Sequence, residues 1–115
     1  MLAEITPEDS ILASNTSSYS ITRIQDLIPS RSPNVIGMHF MNPVPVMKLL
    51  EVVVGRQTSP ETVERAQEIG KMLNKTCIVS KDSPGFIANR ILLPYLNEAC
   101  RALDQNMGSI EDIDQ

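Results

Sequence analysis

The sequence predicts an α/β fold that gives way to helices alone. Short apolar runs alternate with helix-spaced apolar residues as far as Val79, in the order strand, helix, strand, strand, helix, strand. Past a break at residues 81–85 the only periodicity left is helical. The chain has 115 residues, 42% of them hydrophobic, enough for one modest core. Aromatics are scarce, so Ile, Leu, Val and Met must fill it.

Ile11-Leu12-Ala13-Ser14 reads as the first strand, closed by the polar turn Asn15-Thr16-Ser17-Ser18. Ile21, Ile24 and Ile28 then recur at helical spacing. Pro29 and Pro33 bracket a loop. Residues 35–40 and 49–54 are apolar strands, the second closed by Gly55. Thr58-Ser59-Pro60-Glu61 is a helix start in which Thr58 caps, Pro60 is pre-set for the first turn and Glu61 completes a capping box. Val63, Ala66, Ile69 and Leu73 make that helix's buried stripe, and residues 76–79 a short strand. Ser83 is placed to cap a long helix whose stripe is Phe86, Ile87, Ile91, Tyr95, Leu96, Ala99 and Leu103, with Pro94 inside it. Gly108 stops it, and Ser109-Ile110-Glu111-Asp112 starts another.

Composition excludes several function classes. Net charge is −4 with no basic cluster, which argues against nucleic acid as a partner. No apolar run approaches bilayer length, and Met1-Leu2-Ala3-Glu4-Ile5 is no signal peptide, so no membrane is expected and the cytoplasm is the default location. Cys77 and Cys100 fit no zinc spacing and read as buried or free thiols in a reducing compartment. Met38, Met41 and Met47 read as core packing rather than metal ligands, so no metal is expected.

The only histidine, His39, ends the apolar run 35–40, and the next apolar run carries one carboxylate, Glu51. If these are neighbouring strands joined by the Asn42-Pro43-Val44-Pro45 loop, the two side chains meet. An imidazole oriented by a buried carboxylate is a general acid/base; a purely structural histidine is the plain alternative. Ser17 lies where a strand hands over to a helix, the place ligands occupy in open α/β sheets, although that turn could equally cap the helix. Asn42, held between strand and proline, suits positioning of a cofactor or substrate, or is an ordinary Asn-Pro turn. Asn89, near the start of the long helix, is a weak signal alone, and Arg90 beside it reads as solvent-facing. The five glycines are isolated, so no glycine-rich loop cradles a pyrophosphate.

Three stretches in this order resemble the L-3-hydroxyacyl-CoA dehydrogenase family, including the 3-hydroxybutyryl-CoA dehydrogenases. They are Leu12-Ala13-Ser14-Asn15-Thr16-Ser17-Ser18, then His39-Phe40-Met41-Asn42-Pro43-Val44-Pro45-Val46-Met47-Lys48-Leu49-Leu50-Glu51, then Lys81-Asp82-Ser83-Pro84-Gly85-Phe86-Ile87-Ala88-Asn89-Arg90. Phe40-Met41 and Val44-Pro45-Val46-Met47-Lys48 resemble the short-chain acyl-CoA enzymes more than the related sugar-acid dehydrogenases.

The resemblance implies a fold: the C-terminal part of a Rossmann-like NAD-binding domain over residues 1–84, then the first helix of an all-helical substrate and dimerisation domain over 85–115. It implies NAD as cofactor, an acyl-CoA substrate, a homodimeric full-length parent, and interconversion of 3-hydroxyacyl-CoA and 3-ketoacyl-CoA in fatty-acid β-oxidation. His39 becomes the general base on the substrate hydroxyl and Glu51 its orienting partner. Ser17 lies beside nicotinamide and substrate, Asn42 contacts the cofactor, and Asn89 holds the substrate. The family's first βαβ unit with its glycine-rich loop has no counterpart here, so the chain is expected to be an internal fragment, inactive and binding NAD weakly by itself. A non-catalytic binding or structural relative, an inert fragment and a sugar-acid dehydrogenase are the alternatives.

Overall fold

The structure is a computed structural model that describes residues 2–115; Met1, the start of the stretch Met1-Leu2-Ala3-Glu4-Ile5 considered above, lies outside the described residues. A short helix, α1 (Leu2–Ile5), precedes the first strand and had no signal in the periodicity. Then follow β1 (Leu12–Ser14), α2 (Ile21–Asp26), β2 (Val35–Phe40), β3 (Leu49–Val54), α3 (Pro60–Met72), β4 (Thr76–Lys81), α4 (Ala88–Asp104) and α5 (Ile110–Asp114). The four strands form one sheet in the order β1-β2-β3-β4. β1 runs parallel to β2, β2 antiparallel to β3, and β3 parallel to β4. The fold is therefore mixed α/β with helices alone after Lys81, as the sequence predicts.

Alternation along β2 and β3 divides their side chains between two faces. On one face Ile36, Met38, Leu50 and Val52 pack with Ala66 of α3. On the other, Val35 and Val53 pack with Ile21 of α2 and with Phe86. Ile21, Ile36, Leu50 and Val52 are wholly removed from solvent, each worth roughly 1.5–3 kcal/mol of apolar transfer. His39 and Glu51 share the period of Val35 and Val53, so they stand on the face shared with α2 and Phe86.

Several local expectations need correction. Pro29 and Pro33 lie in a 3₁₀ helix, Pro29–Asn34, rather than bracketing a loop. Ser59, not Thr58, caps α3, accepting from Thr62 N. The Thr58 hydroxyl is engaged elsewhere: it donates to Val35 O at 2.7 Å and accepts from Gly55 N at 3.0 Å. Leu73 is the C-cap of α3 and half exposed, not part of its buried stripe. Gly70 lies closest to the sheet instead; a Cβ there would come within 2.2 Å of Cys77 Sγ. β4 extends to Lys81. Met38 is buried as expected, but Met47 is 41% exposed and lies in no core. The long helix begins at Ala88 without a side-chain cap from Ser83 and buries none of its own residues; Phe86 is buried but precedes it. Ser109 caps α5 as expected.

Candidate active site

His39 and Glu51 are direct partners on an antiparallel rung of β2 and β3. His39 Nδ1 lies 2.7 Å from Glu51 Oε2, and the two residues are 5% and 0% exposed. With the carboxylate accepting from Nδ1–H, the imidazole presents a lone pair at Nε2. Ser17 Oγ stands 3.0 Å from that nitrogen, placed so that the hydroxyl donates to it. The three groups thus form a hydroxyl–imidazole–carboxylate relay drawn from a strand-end turn and two strands.

The second oxygen of Glu51 has a separate task. Oε1 accepts from Ile87 N and Ala88 N, at 2.9 Å each. These N–H groups open α4, where unpaired donors and the helix dipole favour an anion. The cap expected from Ser83 is therefore supplied by Glu51, 36 residues upstream of Ile87. Gly85 and Phe86 lead into the helix with φ of 78° and 49°, both left-handed. Such a backbone is costly for phenylalanine. The ring is buried and meets the His39 ring edge-on, with centroids 5.6 Å apart.

Asn89, two positions into α4, is brought to the Ser17 turn, its Nδ2 donating to Ser17 O at 3.4 Å. Arg90 is exposed, as expected. Asn42 follows β2 at a cis peptide bond to Pro43 and is exposed. Four of the five expected site residues therefore converge, while Asn42 lies just beyond the His39 strand with its amide toward no described side chain.

Two further residues hold the site together. Asn15 Oδ1 accepts from Phe40 N at 2.9 Å, tying the start of the turn to β2 beside His39. Asp82 accepts from Ser20 Oγ (2.7 Å), Ile21 N (3.0 Å) and Thr22 N (2.8 Å), capping α2 from the end of β4. Burial pushes the Asp82 carboxyl up, but these hydrogen bonds outweigh it and hold the group below the usual carboxylate range. A carboxylate directly after a strand and before Ser-Pro-Gly was the available signal.

A mostly apolar concavity of about 650 Å³ lies elsewhere, among Leu2, Ile11, Leu12, Ile24 and Ile28, and holds none of the relay residues. No group of His, Cys, Asp and Glu among the described residues could hold a metal ion.

Residues 1–83 match the model of the 3-hydroxyacyl-CoA dehydrogenase NAD-binding domain. Residues 85–115 match that of the 3-hydroxyacyl-CoA dehydrogenase C-terminal domain. The chain belongs to the 3-hydroxyacyl-CoA dehydrogenase family. It is 48% identical over 115 residues to a 3-hydroxybutyryl-CoA dehydrogenase of Clostridioides difficile, covering 100% of this chain and 41% of that protein. It is 47% identical over 113 residues to the mitochondrial hydroxyacyl-coenzyme A dehydrogenase of Homo sapiens, covering 98% and 36%. Among solved structures it resembles the (S)-3-hydroxybutyryl-CoA dehydrogenase of Ralstonia eutropha, with a TM-score of 0.90, 47% identity, and coverage of 96% and 39%. It also resembles an NAD+-dependent dismutase, a 5-formyl-3-hydroxy-2-methylpyridine 4-carboxylic acid 5-dehydrogenase, with a TM-score of 0.92, 33% identity, and coverage of 98% and 37%. The chain spans about two fifths of the length of these relatives.

Proposed function

We propose that the protein acts as an NAD-dependent 3-hydroxyacyl-CoA dehydrogenase, interconverting 3-hydroxyacyl-CoA and 3-ketoacyl-CoA. The observation that carries this reading is the Ser17–His39–Glu51 relay, with Nε2 as the acceptor that the Ser17 hydroxyl faces. In the oxidative direction His39 Nε2 takes the substrate hydroxyl proton, and in the reductive direction it returns it. Glu51 fixes the tautomer and stabilises the imidazolium that forms. Ser17 Oγ orients the reacting oxygen toward Nε2. Asn89, on the far side of the turn, holds the substrate oxygen from α4.

Bound NAD would supply the hydride acceptor. The residues present suit its nicotinamide end: Ser17 offers a hydroxyl and Asn42 a free amide near the ends of β1 and β2. They do not suit its pyrophosphate. The N-termini of α2 and α4 already hold the carboxylates of Asp82 and Glu51, and Ser59 and Ser109 occupy those of α3 and α5. A phosphate would meet two like charges and no free N–H cradle among them.

Within this reading residues 1–84 close the NAD-binding domain and 85–115 open the helical domain. A homodimer is part of the proposal; α4 leaves Ile91, Leu93 and Tyr95 exposed for burial by further protein. No described helix is long and apolar enough to cross a membrane. The two free thiols, Cys77 and Cys100, suit the cytoplasm as the proposed location.

The test is His39→Gln in the full-length gene product, assayed with acetoacetyl-CoA and NADH and, in parallel, with a sugar acid and NAD. Turnover of the acyl-CoA should fall by about 10²–10⁴-fold, with KM little changed. Near-normal turnover removes His39 from the role. Preference for the sugar acid moves the substrate class, and no turnover by the unaltered protein leaves a binding relative.

A further inference from the structure

The relay works only if Ser17 Oγ is held near 3.0 Å from His39 Nε2. Ser17 lies in neither strand nor helix, so its height over the imidazole is set by Asn89 Nδ2, which donates to Ser17 O at 3.4 Å, and by whatever fixes the two ends of its turn. Asn15 fixes the first end through Phe40 N. Within the turn, Thr16 Oγ1 accepts from Ser18 N at 3.3 Å and from Tyr19 N at 2.7 Å, which ties the segment into a compact turn. The second end is Ser20, the cap of α2, whose Oγ accepts from Arg23 N while donating to Asp82 Oδ2.

Among the described residues Asp82 is thus the only charged group that grips the start of α2, and it does so with three donors, two of them backbone. It is itself rigidly placed: its N–H donates to Val54 O at 3.2 Å, extending the β3–β4 ladder by one bond. Val54 lies three residues beyond Glu51 on the same strand. One framework, β3 with β4, therefore carries the carboxylate that orients His39 and the carboxylate that anchors the Ser17 turn.

We propose that Asp82 is a positioning residue that sets the placement of Ser17 against His39 by clamping Ser20 and the first turn of α2. Asp82 touches no member of the relay and acts through the turn. The inference rests on the dehydrogenase reading of Ser17 and His39 and adds to it a residue outside the reacting groups.

A double-mutant cycle tests it in the full-length gene product with acetoacetyl-CoA and NADH. Asp82→Asn keeps the shape of the side chain but turns one of its acceptors into a donor facing Ser20 or α2. Its kcat should fall about tenfold or more, since small misplacement of a reacting group is costly in rate, while KM for both substrates stays within about threefold. In a Ser17→Ala background, where there is no hydroxyl left to misplace, the same substitution should change kcat by less than about twofold. Loss of stability alone would lower the active fraction equally in both backgrounds. If Asp82→Asn fails to fold, Ser20→Ala removes one bond of the clamp and enters the same cycle at smaller amplitude. Equal effects of the clamp substitution with and without Ser17, or no effect on kcat, overturn the inference while the reading of the relay stands. A Ser17→Ala enzyme with unchanged kcat overturns the reading of Ser17 and the inference with it.

Discussion

Replacing Glu51 by glutamine alters one atom type at the centre of the site and should separate rate from stability. Glu51 receives three hydrogen bonds, from His39 Nδ1 and from the N–H groups of Ile87 and Ala88. A glutamine amide has one oxygen and one NH2. Turning the NH2 toward α4 would set donors against two fixed backbone donors. Turning it toward His39 sets it against one nitrogen that can shed its proton by changing tautomer. The second arrangement wins, so the α4 cap survives and the imidazole flips to carry its proton on Nε2. The nitrogen facing Ser17 and the substrate hydroxyl then donates instead of accepting, and the base is lost. An amide in place of the orienting carboxylate in a serine protease costs about 10⁴ in kcat, and a loss of about 10³-fold or more is expected here. Stability should fall by only about 1–2 kcal/mol, since both bonds to α4 persist and the third is remade in the opposite direction, all without the acceptor's charge. Glu51→Ala leaves His39 Nδ1 and both helix N–H groups without partners and should cost about 3 kcal/mol or more, at about 1–3 kcal/mol for each unsatisfied group. Thermal unfolding of the two variants beside steady-state kinetics reads both quantities. A glutamine variant with unchanged kcat, or an alanine variant that melts with the parent, would refute the reasoning.

The Asp82 carboxyl is held below its usual range when folded, so its contribution is present above the unfolded carboxylate value near 3.9 and disappears as pH falls through the folded value. Acid titration of stability should therefore show Asp82→Asn less stable than the parent near neutrality, with the two curves converging below about pH 4; a gap that persists at lower pH contradicts the account. Gly70→Ala forces a Cβ to 2.2 Å from Cys77 Sγ and 2.9 Å from Leu50 Cδ2. Overpacking of about 1–3 kcal/mol should exceed the helix-propensity gain of about 1 kcal/mol, and adding Cys77→Ala should restore much of the loss in a denaturant titration. Burial raises the Cys77 thiol, with Lys71 opposing it, whereas Cys100 is exposed. Mild alkylation followed by peptide mapping should label Cys100 well before Cys77.

The pairing of His39 with Glu51 was legible because it depends on local pattern. Two apolar runs flank a proline loop, and an antiparallel rung brings their polar members together. The Ser17 turn was legible for a similar reason, as a polar break between strand and helix. What the sequence concealed were contacts between residues far apart in the chain. Ser83 had the right chemistry and position to cap the long helix, yet Glu51 caps it, because the sheet delivers a buried carboxylate there. Thr58 looked like the better cap for α3, but its hydroxyl pairs with Val35 O across the fold and leaves Ser59 the role. Asp82 was read as part of a motif without a task, since its partners lie 60–62 residues earlier. Leu73 and Met47 show the complementary error: apolar side chains at helix end and loop that have no surface to pack against.

Because His39 and Glu51 are held by the ladder itself, the connection between them carries no responsibility for their alignment. Residues 41–48 lie outside the β2–β3 pairing, and the Lys75 ammonium steadies them by donating to the carbonyls of Val44 and Met47. Lengthening or shortening that connection would leave the acid/base pair in place so long as the ladder keeps its register. A slip of one residue along either strand would do the opposite, rotating one partner to the α3 face and parting the imidazole from its carboxylate.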